Sequence, residues 1–376
     1  MEKKANMLDY LAWRGDIALS ESTFNPIDGM VLARFSYAPF QLAFLEDGSR
    51  YMTIEDATGK MLADKACGKL CLYQEDVELI EALHKSQRFN KLLMGDFVDI
   101  FKENEEVQFS AFSLRIDDTH MCVVYRGTDN TIVGWKEDLN MGFVSPLGCQ
   151  ILGKEYLEKI ADQNPKVTFI LCGHSKGGNV SAYAAAFCRR DIQERIRDVY
   201  NFDGPGFEDS VLESEGYGRA CTRIHTYVPQ SSLVGMILGH REKHMIVHSM
   251  DQRVPYQHNM YTWEVLGKDF IYDETTTNAS RYFDRTLKEF LGKMDKQHRE
   301  VFVDTAYSLL GGTDAITVED ITSNFKDTSK IMLKTMKEMD VESRKNLAEG
   351  LRLFMKCAWK NFGIQIGQLP QKKQGV

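Results

Sequence analysis

The chain has 376 residues, 43% hydrophobic and 27% charged, which is enough for one large core or two ordinary ones and excludes a disordered polyelectrolyte. With 46 Lys+Arg against 54 Asp+Glu the formal charge is -8, which argues against a chain built to neutralise nucleic-acid phosphates. No eighteen apolar residues run together and no secretory h-region opens the chain, so a cytoplasmic protein without a transmembrane segment is expected.

Residues 7–13 suit a turn or two of helix, and 30–35 form a short apolar run. Val77, Ile80 and Leu83 recur at helical spacing, which places an amphipathic helix inside a helical insertion of about 54–100. From residue 107 the pattern changes. VQFSAFSLRI alternates as a strand does, and MCVVYRG is a short apolar strand ending on a glycine turn. IVGWKEDLNMGF reads as a helix or structured loop, and residues 151–161 as a helix. KVTFILCG is almost wholly apolar, as a strand buried on both faces would be, and the alanine-rich GGNVSAYAAAFCRR follows as a helix. VYNFDGPGF, RIHTYVPQ and HMIVHSM read as further strand ends. This alternation predicts an α/β fold with a mostly parallel sheet. Residues 282–302 and 329–359 are charged and amphipathic, so an α/β body over 1–275 is expected to carry a helical extension, 276–366, packed on the same body.

Gly173-His174-Ser175-Lys176-Gly177 lies between the buried-type strand and the small-residue helix, the context that a G-x-S-x-G nucleophile elbow needs. A serine at such a turn points its hydroxyl out of the sheet. Side chains two residues before and after it would collide, which accounts for Gly173 and Gly177. The bland alternative is a tight turn whose serine caps a helix.

VVYRGTD, then Trp135 and Asp138, FILCGHSKGG and YNFDGPGF resemble the successive core motifs of the class 3 lipase branch of the α/β-hydrolases. With the opening MLDYLAWRGD, and with TYVPQSS and QHNMYTW further on, the pattern is similar to the bacterial Mbeg1-like proteins. The resemblance implies an α/β-hydrolase fold with a mostly parallel central sheet, a helical insertion and a helical C-terminal appendage. It implies Ser175 as nucleophile, with an oxyanion hole from Thr128 and the backbone N–H of Lys176. It further implies Arg126 and Asp138 as an ion pair bracing the oxyanion loop. His258, on a loop beyond the last core strands, is in place to be the general base, and it resembles the family's catalytic histidine.

The acid stays open. Where class 3 lipases place an aspartate after the strand RIHTYVP, this chain has Gln230, Ser231 and Ser232. Asp203 stands where the lipase pattern usually has glycine. It is one candidate, Asp251 and Asp209 are others, and a dyad without a carboxylate is the fourth. Asp203 could equally cap the Gly204-Pro205-Gly206 turn. His174 neighbours the serine, but an elbow turns it away, so it is expected to pack.

His240, His244 and His248 share a spacing that suggests a metal only on a helix, and their segment reads as a strand. The eight cysteines are scattered, and only Cys67 and Cys71 lie close, so reduced thiols and no metal are expected. These residues predict a serine hydrolase acting on an ester or thioester of an apolar acyl substrate, lipid-like or a small molecule, without cofactor or nucleic-acid partner. The alternative is a binding or scaffold protein that keeps the fold without efficient turnover. The helical segments would serve as a lid over the cleft, or the tail as a homodimer surface.

Overall fold

The computed structural model describes residues 4–44, 51–102, 107–128, 146–294, 298, 302, 305 and 339–367. They build an eight-stranded sheet whose strands are ordered as in the chain: β1 (Tyr51–Thr53), β2 (Leu93–Lys102), β3 (Val107–Arg115), β4 (His120–Tyr125), β5 (Thr168–His174), β6 (Ile196–Phe202), β7 (Ile224–Pro229) and β8 (His244–Val247). From β4 to β8 every neighbour is parallel, while β1 to β3 add an antiparallel flank. This is the expected α/β-hydrolase architecture.

The central strands are apolar on both faces because both are covered. Cys122, Val124, Ile170, Cys172 and Phe202 point into one core, and Met121, Val123, Tyr125, Phe169 and Leu171 into the other. On the first face lie α1 (Met7–Arg14), α2 (Pro26–Phe35), α3 (Ile54–Ala63) and α4 (Gln74–Lys85). On the second lie α5 (Gly148–Gln163) and α6 (Lys176–Phe187).

Two stretches differ from the sequence expectation. The short apolar run at 30–35 is the second half of α2. Asn25 caps it by accepting from the Ile27 and Asp28 N–H groups, Pro26 stands in its first turn, and Asp28 closes the capping box. Every residue from Ile27 to Phe35 is buried, so the helix has no polar face to betray its period. The helical insertion also ends earlier than residue 100, because 93–102 form β2. A bulge between Gly95 and Val98, with Asp96 at φ 50°, breaks the alternation that would have marked this strand.

The C-terminal part contains α7 (Asn278–Gly292) and α8 (Val341–Gly367), which share a small cluster of Phe290, Met294 and Cys357. The start of α7 is tied to the strand-end loop after β7. Thr277 N–H donates to the Gln230 carbonyl at 2.7 Å, and Ser280 Oγ to the Ser232 carbonyl at 2.7 Å. The helix or loop expected at 132–143 lies outside the described residues, as does most of the link between α7 and α8.

Candidate active site

At the end of β5 the chain turns sharply into α6, with Ser175 at φ 56°, ψ -130°. A non-glycine residue there stores roughly 1–3 kcal/mol of backbone strain, so its surroundings must hold it in place. They do so through backbone bonds: Ser175 N–H donates to the Phe202 carbonyl at 2.9 Å, and Gly178 N–H to the Ser175 carbonyl at 2.9 Å. The glycines are steric necessities. A Cβ on Gly173 would stand 2.2 Å from the Gly177 carbonyl oxygen, and one on Gly177 would stand 2.2 Å from the Tyr125 oxygen.

The two residues expected at the oxyanion hole flank this turn. Lys176 opens α6, where backbone N–H groups lack intrahelical acceptors. Its side chain is 2% exposed and runs to β3, donating to the Gln108 carbonyl at 3.1 Å and to Gln108 Oε1 at 3.3 Å. Thr128 follows the end of β4. The intervening Gly127 is pressed so close that a Cβ would meet Tyr37 Oη at 2.1 Å and the His174 oxygen at 2.5 Å. Arg126 pairs with Asp99 of β2 at 2.8 Å, whereas its expected partner Asp138 lies outside the described residues.

Among the aspartates the sequence left open, the fold brings Asp203 to His258. Asp203 follows β6 at φ 50°, a left-handed position for which glycine is the ordinary occupant and which Asp tolerates. It is fully buried. Its Oδ1 accepts from Ser232 Oγ at 2.5 Å and from Gly235 N–H at 3.1 Å, and its Oδ2 lies 2.7 Å from His258 Nδ1. A carboxylate oxygen accepts, so the proton of this contact sits on His258 Nδ1. The Gly204-Pro205-Gly206 turn does not need Asp203 as a cap. Gly204 N–H goes to Asn201 Oδ1 at 2.9 Å and Gly206 N–H to the Ile237 carbonyl at 2.8 Å.

Asp251 is occupied by Arg253, which donates from Nη2 at 2.7 Å and from its backbone N–H at 2.8 Å. Asp209 is exposed at the start of a one-turn helix. The residues replacing the lipase aspartate each have a definite structural place. Gln230 clamps the Ser249 backbone from both ends of its amide (2.6 and 2.9 Å), Ser231 N–H donates to Gln257 Oε1 at 2.8 Å, and Ser232 donates to Asp203.

His174 does more than pack. Its Nε2 lies 3.0 Å from the His258 carbonyl and its Nδ1 2.9 Å from the Tyr37 hydroxyl. A carbonyl only accepts, so Nε2 holds the proton and Nδ1 accepts from Tyr37. Burial, and then the neighbouring His258, hold the His174 pKa well below the ordinary imidazole value, so the ring is neutral. The two imidazole rings lie against one another, tilted by 35°, with centroids 4.4 Å apart. Behind Tyr37 lies the buried Arg34–Asp76 pair, whose carboxylate also takes the hydroxyl of Tyr261, three residues past His258. Among the described residues no hydrogen bond joins the Ser175 hydroxyl to His258; Ser175 is 8% exposed and the His258 side chain 31%.

The three histidines whose spacing hints at a metal are engaged elsewhere. His240 pairs with Glu242 at 2.8 Å, the His244 ring meets His240 edge-on at 4.5 Å, and His248 bonds Asp273 at 3.0 Å. Among the described residues no three His, Cys, Asp or Glu side chains are placed to hold a metal.

A comparison with curated proteins returns no match. Among solved structures the chain is similar to M37 lipase, with 15% identity over 57% of this chain and 70% of that one at a TM-score of 0.37. It is similar also to the Lip2 lipase from Yarrowia lipolytica, with 10% identity over 67% and 88% and a TM-score of 0.34. Further, it is similar to a triacylglycerol lipase from Penicillium expansum, with 10% identity over 50% and 78% and a TM-score of 0.33. Scores this low bear no weight by themselves. The sequence model of the Mbeg1-like family matches residues 83–308, more than half of the chain and all of the strands from β2 to β8. The chain belongs to the Mbeg1-like family.

Proposed function

We propose that this protein is a serine hydrolase that cleaves an ester or thioester of an apolar acyl substrate. The observation that carries the reading is the buried Asp203 carboxylate 2.7 Å from His258 Nδ1, beside a serine held at positive φ between strand and helix. In this scheme Ser175 Oγ attacks the acyl carbonyl carbon while His258 Nε2 takes its proton. The backbone N–H of Lys176 and Thr128 stabilise the tetrahedral oxyanion. His258 returns the proton to the departing alcohol or thiol, and water releases the acyl group by the same steps in reverse. No metal or organic cofactor takes part. The Ser175–His258 hydrogen bond is left to form with substrate in place, as catalytic hydrogen bonds in unliganded enzymes often do.

A fluorophosphonate probe tests the scheme directly. The folded wild type should be labelled covalently and Ser175→Ala should not. Labelling that survives Ser175→Ala overturns the assignment. A folded wild type that resists the probe favours instead a hydrolase-fold binding protein.

The same scheme gives His174 a positioning role, since it bonds the backbone of His258 and packs against its ring. His174→Phe keeps a ring but loses both hydrogen bonds. It should lower kcat on a p-nitrophenyl ester about tenfold with little change in KM, because small misplacements of reacting groups act on the chemical step. His174→Gln, which retains a donor for the His258 carbonyl, should recover most of that loss. Equal kcat in all three proteins would reduce His174 to a core residue.

A further inference from the structure

The inner side of α8 is fully used. Leu347, Cys357 and Asn361 are buried, Phe354 meets Phe290 with ring centroids 5.4 Å apart, and Glu289 of α7 receives Lys360 at 2.8 Å and Asn361 at 3.0 Å. Among the described residues the outer side has a single such contact, Phe362 against Tyr282 of α7 with ring centroids 6.3 Å apart. Leu351, Met355, Trp359 and Phe362 are 50%, 65%, 80% and 49% exposed. Steps of four, four and three residues put them in one line along the helix. One exposed apolar residue is ordinary, but a continuous line ending on tryptophan and phenylalanine marks an interaction face.

Charge identifies the occupant. Arg352 and Lys356 are exposed and follow Leu351 and Met355 in sequence, so each lies about 100° round the helix from its apolar neighbour. From residue 350 to 376 the chain carries Arg352, Lys356, Lys360, Lys372 and Lys373 and no Asp or Glu, although the whole protein has a formal charge of -8. An apolar stripe edged by cations, with an aromatic at its rim, has the composition of a helix that lies in the plane of an anionic bilayer surface. No helix among the described residues is long and apolar enough to cross a membrane, so the helix would lie on the bilayer rather than span it. A second copy fits less well. An antiparallel two-fold contact through this stripe would bring the two Arg352–Lys356 edges towards one another.

We propose that the outer face of α8 docks this protein on an anionic lipid surface, with Leu351, Met355, Trp359 and Phe362 entering the headgroup boundary and Arg352 and Lys356 engaging lipid phosphates. The test is co-sedimentation of the full chain with phosphatidylcholine vesicles, with and without phosphatidylglycerol. The wild type should bind the phosphatidylglycerol vesicles strongly at low salt and the neutral vesicles weakly. Each cation near an anionic surface is worth about fivefold in partitioning, so R352Q/K356Q should weaken binding roughly 25-fold. M355E/W359E should abolish binding while leaving the circular dichroism spectrum and probe labelling at Ser175 unchanged, because both side chains are exposed. Three results would overturn the proposal: no binding to the phosphatidylglycerol vesicles, equal binding to both kinds, or a solution dimer that M355E/W359E dissociates.

Discussion

Asp203→Asn should lower kcat for ester hydrolysis by roughly 10⁴, the scale of loss when a triad carboxylate becomes an amide. The size follows from a proton count. Asparagine retains one oxygen, which can still accept from Ser232 Oγ and Gly235 N–H, the two donors that hold Asp203 Oδ1. Its amide nitrogen then faces His258 Nδ1, where Oδ2 sits at 2.7 Å. Two N–H groups cannot face each other, so the imidazole moves its proton to Nε2 and loses the lone pair that should receive the Ser175 proton. The ion pair with the imidazolium formed during attack disappears as well. Folding should be little affected, because shape and two of the three hydrogen bonds persist, and KM should change little. Circular dichroism, urea unfolding and steady-state kinetics on a p-nitrophenyl ester measure these three effects. Turnover within a few fold of wild type would remove Asp203 from the mechanism.

The parts of this site that sequence reveals are those whose physics is local. The elbow shows because a strand buried on both faces must be apolar at every position, and because Gly173 is demanded by the Gly177 carbonyl four residues on, although Gly177 itself is demanded by Tyr125 on β4. The acid shows only as a short set of candidates. Asp203 and His258 are 55 residues apart, and the loop carrying His258 is aimed by Gln230, Gln257, His174 and Tyr261 through contacts that no spacing encodes. Tyr37 is 137 residues from His174, and nothing local marks it. Ser232 is a similar case: two residues past Gln230 it reads as part of a lost aspartate motif, yet its hydroxyl donates to Asp203. The buried ion pairs were hidden for a different reason. Arg34, Asp76, Arg88 and Asp28 look like solvated surface in a sequence that is 27% charged, and only partners 42 and 60 residues distant make their burial affordable.

That burial leads to the largest expected effect on stability. Arg88→Met should cost about 3–5 kcal/mol of folding free energy, a large share of the roughly 5–15 kcal/mol that holds an ordinary domain together. Arg88 and Asp28 have no exposed side-chain surface, and every guanidinium proton has an acceptor. Nε and Nη2 reach the Asp28 carboxylate at 2.7 and 2.5 Å, Nη1 reaches the Ile17 and Ser22 carbonyls, and Nη2 also reaches Thr23. Asp28 takes the Tyr10 hydroxyl at 2.6 Å besides, and burial followed by that carboxylate's charge raises the Tyr10 pKa. Methionine fills much of the volume but leaves three carbonyls and a carboxylate short of donors in a site without water-facing surface. The cost is therefore the stranded charge rather than lost packing. It follows that Arg88→Met/Asp28→Leu, which removes the charge together with its partner, should recover part of the loss although it deletes more native contacts. Urea unfolding of wild type, single and double variants separates the two accounts. A single variant within about 1 kcal/mol of wild type would show that the pair is no more than an exposed ion pair in worth. Any Arg88→Met protein that is still folded should keep Ser175 reactive towards the probe, because the ion pair joins α2 to the turn after α4 and none of its hydrogen bonds reaches β5 or the His258 loop.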